Sequence, residues 1–256
     1  MRKSLKRSLQ TDKRYERIRK GSYRAVLDGQ FCGRTEFCEL IDRIDELLTA
    51  GRPLKESSMS TSVAHLTWNG KDIVVKRYDY RGAFRAVRQT IKNMNSYARR
   101  SWLYAQRLRM LGVPGPEPVA YIEKYSGPIV LKSYFISKSL QGRSLRAYLE
   151  DETVGRGEYP TVAEKVLHLL REMGKYRISH GDMKFGNILL TADKAVILDL
   201  DRMRLHKLSW EYRFWRWRDL NRFARDLQGY PAFEAVVREL VVQNELSSLA
   251  GLFSDR

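Results

Sequence analysis

The sequence predicts an α+β fold in two parts: a sheet-rich first half with one long helix, then a helical second half. Three observations carry that expectation. Runs of β-forming residues cluster in the first half, helical periodicity dominates from Ser144 onward, and the change falls at Ser137–Gly142. With 256 residues, 43% of them hydrophobic, the chain is long enough for two tightly packed lobes, each with its own core. The expected division is a basic extension over 1–25, a first lobe over 26–136 and a second over 137–256.

Each element has a local reason. Residues 1–25 are basic with little apolar spacing, which reads as a flexible or surface-lying extension, and no apolar stretch follows the charges as a secretory signal requires. Residues 36–50 have helical periodicity and an acidic face, with Gly51 as the stop. In "SVAHLTWNGKDIVVKRY", two β-forming runs flank Asn69-Gly70, a hairpin turn signal that leaves Lys76 near the end of the second strand. Residues 83–111 read as one helix, closed by Gly112 and the Pro114, Pro116 and Pro118 segment. Two strands follow in "EPVAYIEKY" and "PIVLKSYFIS". The second half reads as helices over 144–150, 161–176, around 207–228 and 231–249, with short strands at 188–191 and 195–199.

Composition narrows the partners. A net charge of +17 favours anionic ones: nucleic acid, acidic lipid surfaces or phosphorylated glycans. No nucleic-acid motif accompanies the charge. No apolar run approaches the ~20 residues a membrane span needs. Cys32 and Cys38 form neither a CxxC pair nor a zinc pattern, and read as reduced cytosolic thiols.

The chemistry concentrates in "ISHGDMKFGNILL", residues 178–190. Phosphoryl transfer needs a carboxylate to orient the acceptor hydroxyl, cations over the phosphates and hard oxygen ligands for a divalent ion. Asp182 supplies the carboxylate, Lys184 a cation, and Asn187 an amide oxygen suited to Mg²⁺. "KAVILDLDRMR" then brings Asp199, the main metal carboxylate, and Asp201, a second ligand or a partner of Arg202 or Arg204, to a strand end where they face the same way.

"HGDMKFGN" followed by "VILDLD" resembles the protein-kinase-like superfamily, whose protein kinases show H-R-D-L-x-x-x-N and D-F-G. "DIVVKRY" resembles the strand whose Lys pairs with the α- and β-phosphates of ATP, which makes Lys76 the counterpart. The resemblance implies a bilobal kinase-like fold with ATP and Mg²⁺. Two parts depart from that pattern. The phosphate-covering loop "KESSMSTSV" has no glycine, so Ser58, Ser60, Thr61 and Ser62 would cradle phosphates through backbone N–H groups and hydroxyls. Helix 83–111 has no acidic residue to pair with Lys76, which leaves Glu123 on the next strand as the candidate.

Two absences narrow the acceptor toward a small molecule or a glycan. Gly181 stands where protein kinases usually carry an Arg, and few residues separate Asp201 from the helix near Trp210, so little chain remains to order a protein substrate. A closer resemblance lies in "VVKRYDYRG", "ARRSWLYAQRLRMLGVPGPEPVAYIEKYSG", "SYFISKSLQGRSLRAYL" and "ILDLDRMR". Together these are similar to the lipopolysaccharide kinase family, over roughly residues 50–228. That resemblance implies an acceptor sugar, Kdo rather than heptose, on a lipid-linked anionic glycan. It also implies a place in the cytoplasm, peripheral to the cytoplasmic face of the inner membrane. The basic N-terminus, helix 83–111 and "WEYRFWRWRDL" would contact the anionic membrane, unless Trp210, Trp215 and Trp217 are lobe core. Two alternatives stay open: a kinase of another small molecule or of a protein, and a non-catalytic kinase-like module binding anionic membrane or nucleic acid.

Overall fold

The computed structural model describes residues 14–54, 60–80 and 96–243. Ser58, positions 1–13 of the expected extension, and the expected helical segments 83–95 and 244–249 lie outside the described residues. The chain divides into two compact units, Met1–Gln106 with Glu117–Ser139, and Arg107–Pro116 with Leu140–Arg256.

The first unit is built on a seven-stranded antiparallel sheet, in the order β1-β2-β6-β7-β5-β4-β3. Its strands are β1 (Tyr15–Lys20), β2 (Tyr23–Asp28), β3 (Arg52–Pro53), β4 (Thr61–Trp68), β5 (Lys71–Asp79), β6 (Pro118–Ser126) and β7 (Ile129–Lys138). The β4–β5 hairpin turns on Asn69 and Gly70, with φ of 45° and 72°, the two positive values a tight hairpin turn requires. Helix α1 (Arg34–Ala50) turns Phe37, Leu40, Ile41, Ile44 and Leu48 inward, a helical spacing. They pack on alternate sheet residues, including Leu66, Ile73, Val75, Ile122 and Ile136. The opposite face carries Lys76, Tyr78, Tyr121 and Glu123. There helix α2 (Tyr97–Leu111) sets Trp102 edge-on to Tyr121 at 5.4 Å and stacks Tyr97 on Tyr80 at 5.9 Å.

One expectation is corrected here. Part of the presumed extension is folded, because Tyr15–Lys20 and Tyr23–Asp28 form the β1–β2 hairpin at the edge of the sheet. The reason is positional. An edge strand buries little (Ile18 alone in β1), and its charged residues discourage pairing with another chain. Such a strand therefore has the composition of a solvated tail.

Asp45 ties α1 to the sheet. Its carboxylate takes Arg77 at 3.3 Å, Lys132 at 2.8 Å and the Tyr134 hydroxyl at 2.9 Å. Burial works against its ionisation, but the Lys132, Tyr134 and Arg77 contacts prevail and hold its carboxyl below the ordinary value of 3.8. A depressed folded value means stabilisation present above pH 3.8 and lost as pH falls through the folded value. Asp45→Asn is expected to lower stability at neutral pH by on the order of 1 kcal/mol, discounted for partial exposure. It should also flatten the acid limb of a melting-temperature profile against pH.

The second unit is mainly helical: α3 (Leu145–Leu149), α4 (Tyr159–Lys175), α5 (Ser209–Leu227) and α6 (Pro231–Gln243). Helix α4 buries Val162, Val166, Leu170 and Met173, and Tyr159 meets Phe233 of α6 edge-on at 5.5 Å. Two small sheets complete it, β11-β10-β8 and β12-β9, from β8 (Arg143–Ser144), β9 (Ile178–Ser179), β10 (Ile188–Leu190), β11 (Ala195–Ile197) and β12 (Arg204–Leu205). Among the described residues no helix is long and apolar enough to cross a membrane. Cys32 and Cys38 are free thiols, and burial pushes Cys32 up to about 11, which keeps it protonated and unreactive at neutral pH.

Candidate active site

The loop between β9 and β10 is held by its backbone. Asp219 of α5 accepts the His180 N–H through Oδ2 at 2.5 Å and the Gly181 N–H through Oδ1 at 2.8 Å. Two turns further on, Asp226 accepts the Phe185 N–H at 2.8 Å. The Phe185 ring is clamped by Phe223 and Tyr230, at 4.9 and 5.7 Å between centroids. One helix face thus fixes both ends of the loop. Burial raises the Asp219 carboxyl above its ordinary 3.8, and the two backbone donations pull the other way.

Gly181 adopts φ of +85°, and a Cβ there would meet the Arg202 carbonyl oxygen at 3.0 Å and Arg202 Cβ at 3.1 Å. The residue is therefore a backbone requirement. An arginine at 181 would be strained and would crowd its neighbour.

Asp182 lies at the centre of the loop, one-third exposed, with Lys184 Nζ at 3.3 Å and Arg222 Nε at 4.0 Å. Asn187 donates Nδ2 to the Asp182 carbonyl at 2.9 Å and more weakly to its Oδ2 at 3.4 Å, so the amide oxygen Oδ1 is left as acceptor. The Leu198 peptide is gripped from both sides. Its N–H donates to the Asn187 carbonyl at 2.8 Å, and its carbonyl accepts His180 Nε2–H at 2.7 Å. Those two bonds bring Asp199, one residue on, beside the loop.

Asp199 and Asp201 do not lie on a strand, contrary to the expectation. The strand ends at Ile197, Asp199 is left-handed with φ of 61°, and Leu200–Arg202 is a turn of 3₁₀ helix. Alternation no longer sets where the two carboxylates point. Among the described residues no group of three or more His, Cys, Asp or Glu is placed to hold a metal. A magnesium ion takes only one or two carboxylates and completes its shell with phosphate and water oxygens. The Asn187 amide oxygen and the Asp199 carboxylate fit that demand.

In the first unit, Lys76 shares a sheet face with Glu123 and extends its ammonium over the Tyr78 ring at 4.9 Å. Strand β7 separates the two residues, which puts about 10 Å between their strands. The Glu123 carboxylate is buried and accepts the Tyr125 hydroxyl at 2.9 Å. Of the expected phosphate-loop residues, Thr61 and Ser62 already belong to β4. Thr61 pairs with Tyr78 on the Lys76 face. Ser62 pairs with Arg77 on the opposite face, where its hydroxyl accepts Arg77 Nη2 at 3.3 Å. Ser60 uses its carbonyl to accept the Asp79 N–H at 2.9 Å. Strand alternation thus removes the Ser62 side chain from the Lys76 face.

Sequence reading missed Asp226 and Arg222. The signal was present: Asp219, Phe223 and Asp226 recur at i, i+4 and i+7, one face of a helix. No curated protein matches the chain. The lipopolysaccharide kinase (Kdo/WaaP) family matches over residues 53–245, a span that contains Lys76 and the whole of the 180–202 segment. The chain belongs to the lipopolysaccharide kinase (Kdo/WaaP) family.

Proposed function

We propose that the protein transfers the γ-phosphoryl group of ATP to a sugar hydroxyl of the lipopolysaccharide inner core, with Kdo favoured over heptose. The observation that carries this reading is the loop itself. Asp219 and Asp226 hold its backbone, and Asn187 holds Asp182, so a carboxylate is presented on a rigid support beside two cations.

In this reading Asp182 takes the acceptor hydroxyl's proton as the sugar oxygen bonds to Pγ and the bond from Pγ to the bridging oxygen breaks, releasing ADP. Lys184 and Arg222 offset charge on the transferring group. Lys76 meets the α- and β-phosphates, and Glu123, on the same sheet face, is its proposed counter-charge. Ser58, Ser60 and Thr61 lend the loop before β4 its polar groups. Asn187 and Asp199 would hold Mg²⁺, with Asp201 in support, and the ion would neutralise phosphate charge during transfer. The two compact units are read as the lobes of a protein-kinase-like fold, an assignment supported by the Lys-bearing antiparallel sheet in one and the Asp-bearing loop in the other. The site of action is read as the cytoplasmic face of the inner membrane, where the lipid-linked acceptor is made.

The test is direct. The purified chain with MgATP should add one phosphate to a Kdo-terminated lipid-linked acceptor, read by mass, and less to a heptose-terminated one. Transfer to neither acceptor, with ATP still protecting the chain in a thermal melt, would overturn the acceptor assignment. The lack of any acidic residue over positions 83–111 favours the non-catalytic alternative, and that alternative predicts no Mg²⁺-dependent protection by ATP at all.

A further inference from the structure

Helix α5 has two working faces. Its inward face carries Asp219, Phe223 and Leu227, all buried, and grips the catalytic loop. Its outward face carries Trp210, Phe214 and Trp217 at i, i+4 and i+7, with 70%, 53% and 57% of their surface exposed. Leu208, just before the helix, is exposed as well. A run of large apolar side chains standing free on a surface marks something that covers it. This also answers the question the sequence left open about the tryptophans: Trp210 and Trp217 are not core, and Trp215 is half-buried between Arg204, at 3.8 Å, and Arg218, at 4.8 Å.

The stripe is bordered by cations. Arg218 lies on one side. On the other, Arg171 and Lys175 of α4 join Arg213 and Arg216, with Tyr212 and Trp217, around an open groove of about 730 Å³ whose lining contains no acidic residue. Glu211, the acid nearest the stripe in sequence, faces His206 at 3.3 Å.

We propose that this face of α5 docks on an anionic lipid bilayer. Trp210 and Trp217, whose indoles have polar edges, sit at head-group depth with the apolar Phe214 ring between them. Arg171 and Arg213 take lipid phosphates, while Lys175 lies 3.8 Å from Glu172 and Arg216 is held by the Leu170 carbonyl at 3.3 Å. Charge complementarity selects an anionic surface, and the unbroken aromatic stripe selects a bilayer over a duplex nucleic acid, whose outward phosphates would leave the rings uncovered. Trp210 and Asp219 are nine residues apart, about half a turn out of phase. Docking would therefore hold the catalytic loop about one helix diameter, ~10 Å, above the lipid surface. That height suits a sugar attached close to its lipid. Only this last step rests on the proposed acceptor; the docking does not.

The experiment is co-sedimentation of the full chain with phosphatidylethanolamine vesicles containing about a third phosphatidylglycerol, against phosphatidylcholine vesicles. The anionic vesicles should bind it, blue-shift its tryptophan emission and release it in high salt, as screening shortens the reach of the charges. The variants Trp210→Ser/Phe214→Ser/Trp217→Ser and Arg171→Glu/Arg213→Glu should each bind on the order of tenfold more weakly or worse. Their thermal melts and their transfer to a delipidated core acceptor should match wild type. Variants that bind as tightly as wild type overturn the proposal, because another surface, such as the basic residues before position 14, then holds the lipid. A wild-type chain that ignores anionic vesicles, or binds an RNA hairpin through these residues instead, overturns it too. Vesicle binding without phosphoryl transfer would leave the docking intact and remove the acceptor reading.

Discussion

Asp182→Ala is expected to cut phosphoryl transfer by about 10²–10⁴-fold while leaving the melting temperature close to wild type. The rate loss is the range a positioned proton acceptor supplies. The fold should survive because the Asp182 side chain is one-third exposed and its partners, Lys184 at 3.3 Å and Arg222 at 4.0 Å, are themselves partly solvated. The Asn187 bond to the Asp182 carbonyl does not depend on the side chain at all. Two readouts together make the test informative: single-turnover transfer from labelled ATP, and MgATP protection in a melt, which should persist in the variant. An Asp182→Ala protein that transfers phosphate at the wild-type rate would remove Asp182 from the chemistry.

Asp219→Ala should damage both stability and activity. The substitution strands the His180 and Gly181 N–H groups that the carboxylate now accepts at 2.5 and 2.8 Å. Each buried donor left without an acceptor costs about 1–3 kcal/mol, so the pair loses roughly 2–6 kcal/mol. The lower end is favoured, because the native carboxylate is itself disfavoured by burial. That corresponds to a fall in melting temperature of roughly 5–15 °C, with faster amide exchange at His180 and Gly181. Asp219→Asn keeps one acceptor oxygen and should fall between the two. Transfer should drop in both variants through a loosened loop, and wild-type exchange at the two amides in Asp219→Ala would refute the tether.

Much of this architecture was legible in the residues because it is local. Asn69-Gly70 announces a hairpin through backbone sterics, and the inward positions of α1 follow a helical period that needs no knowledge of the partner sheet. The order of the proposed set Lys76, Asp182, Asn187, Asp199 was readable for a related reason. Phosphoryl transfer demands those residue types, and chain spacing between them is set by the strands and turns that carry them.

What escaped was decided by partners distant in sequence. Strand β1 reads as a tail until β2 and the sheet edge give Ile18 a place to be buried. Asp199 reads as a strand residue until the Leu198 peptide is pinned by His180 and Asn187, which ends the strand and turns the chain left-handed. Ser62 reads as a phosphate ligand until pairing with Arg77 assigns it to the other face. Composition cannot distinguish an aromatic helix that fills a core from one that faces outward, since only packing decides which arc of α5 is covered.

The sequence by itself determined the family and, through it, the phosphotransferase class, and it put forward the residues proposed to carry the reaction, because these depend on side-chain chemistry and its order along the chain. Only the tertiary structure decided why Gly181 must be glycine, that Asp226 joins Asp219 in holding the loop, and which face of α5 is left to meet a surface. Each of these depends on distances between residues far apart in sequence, and those distances exist only once the backbone has closed.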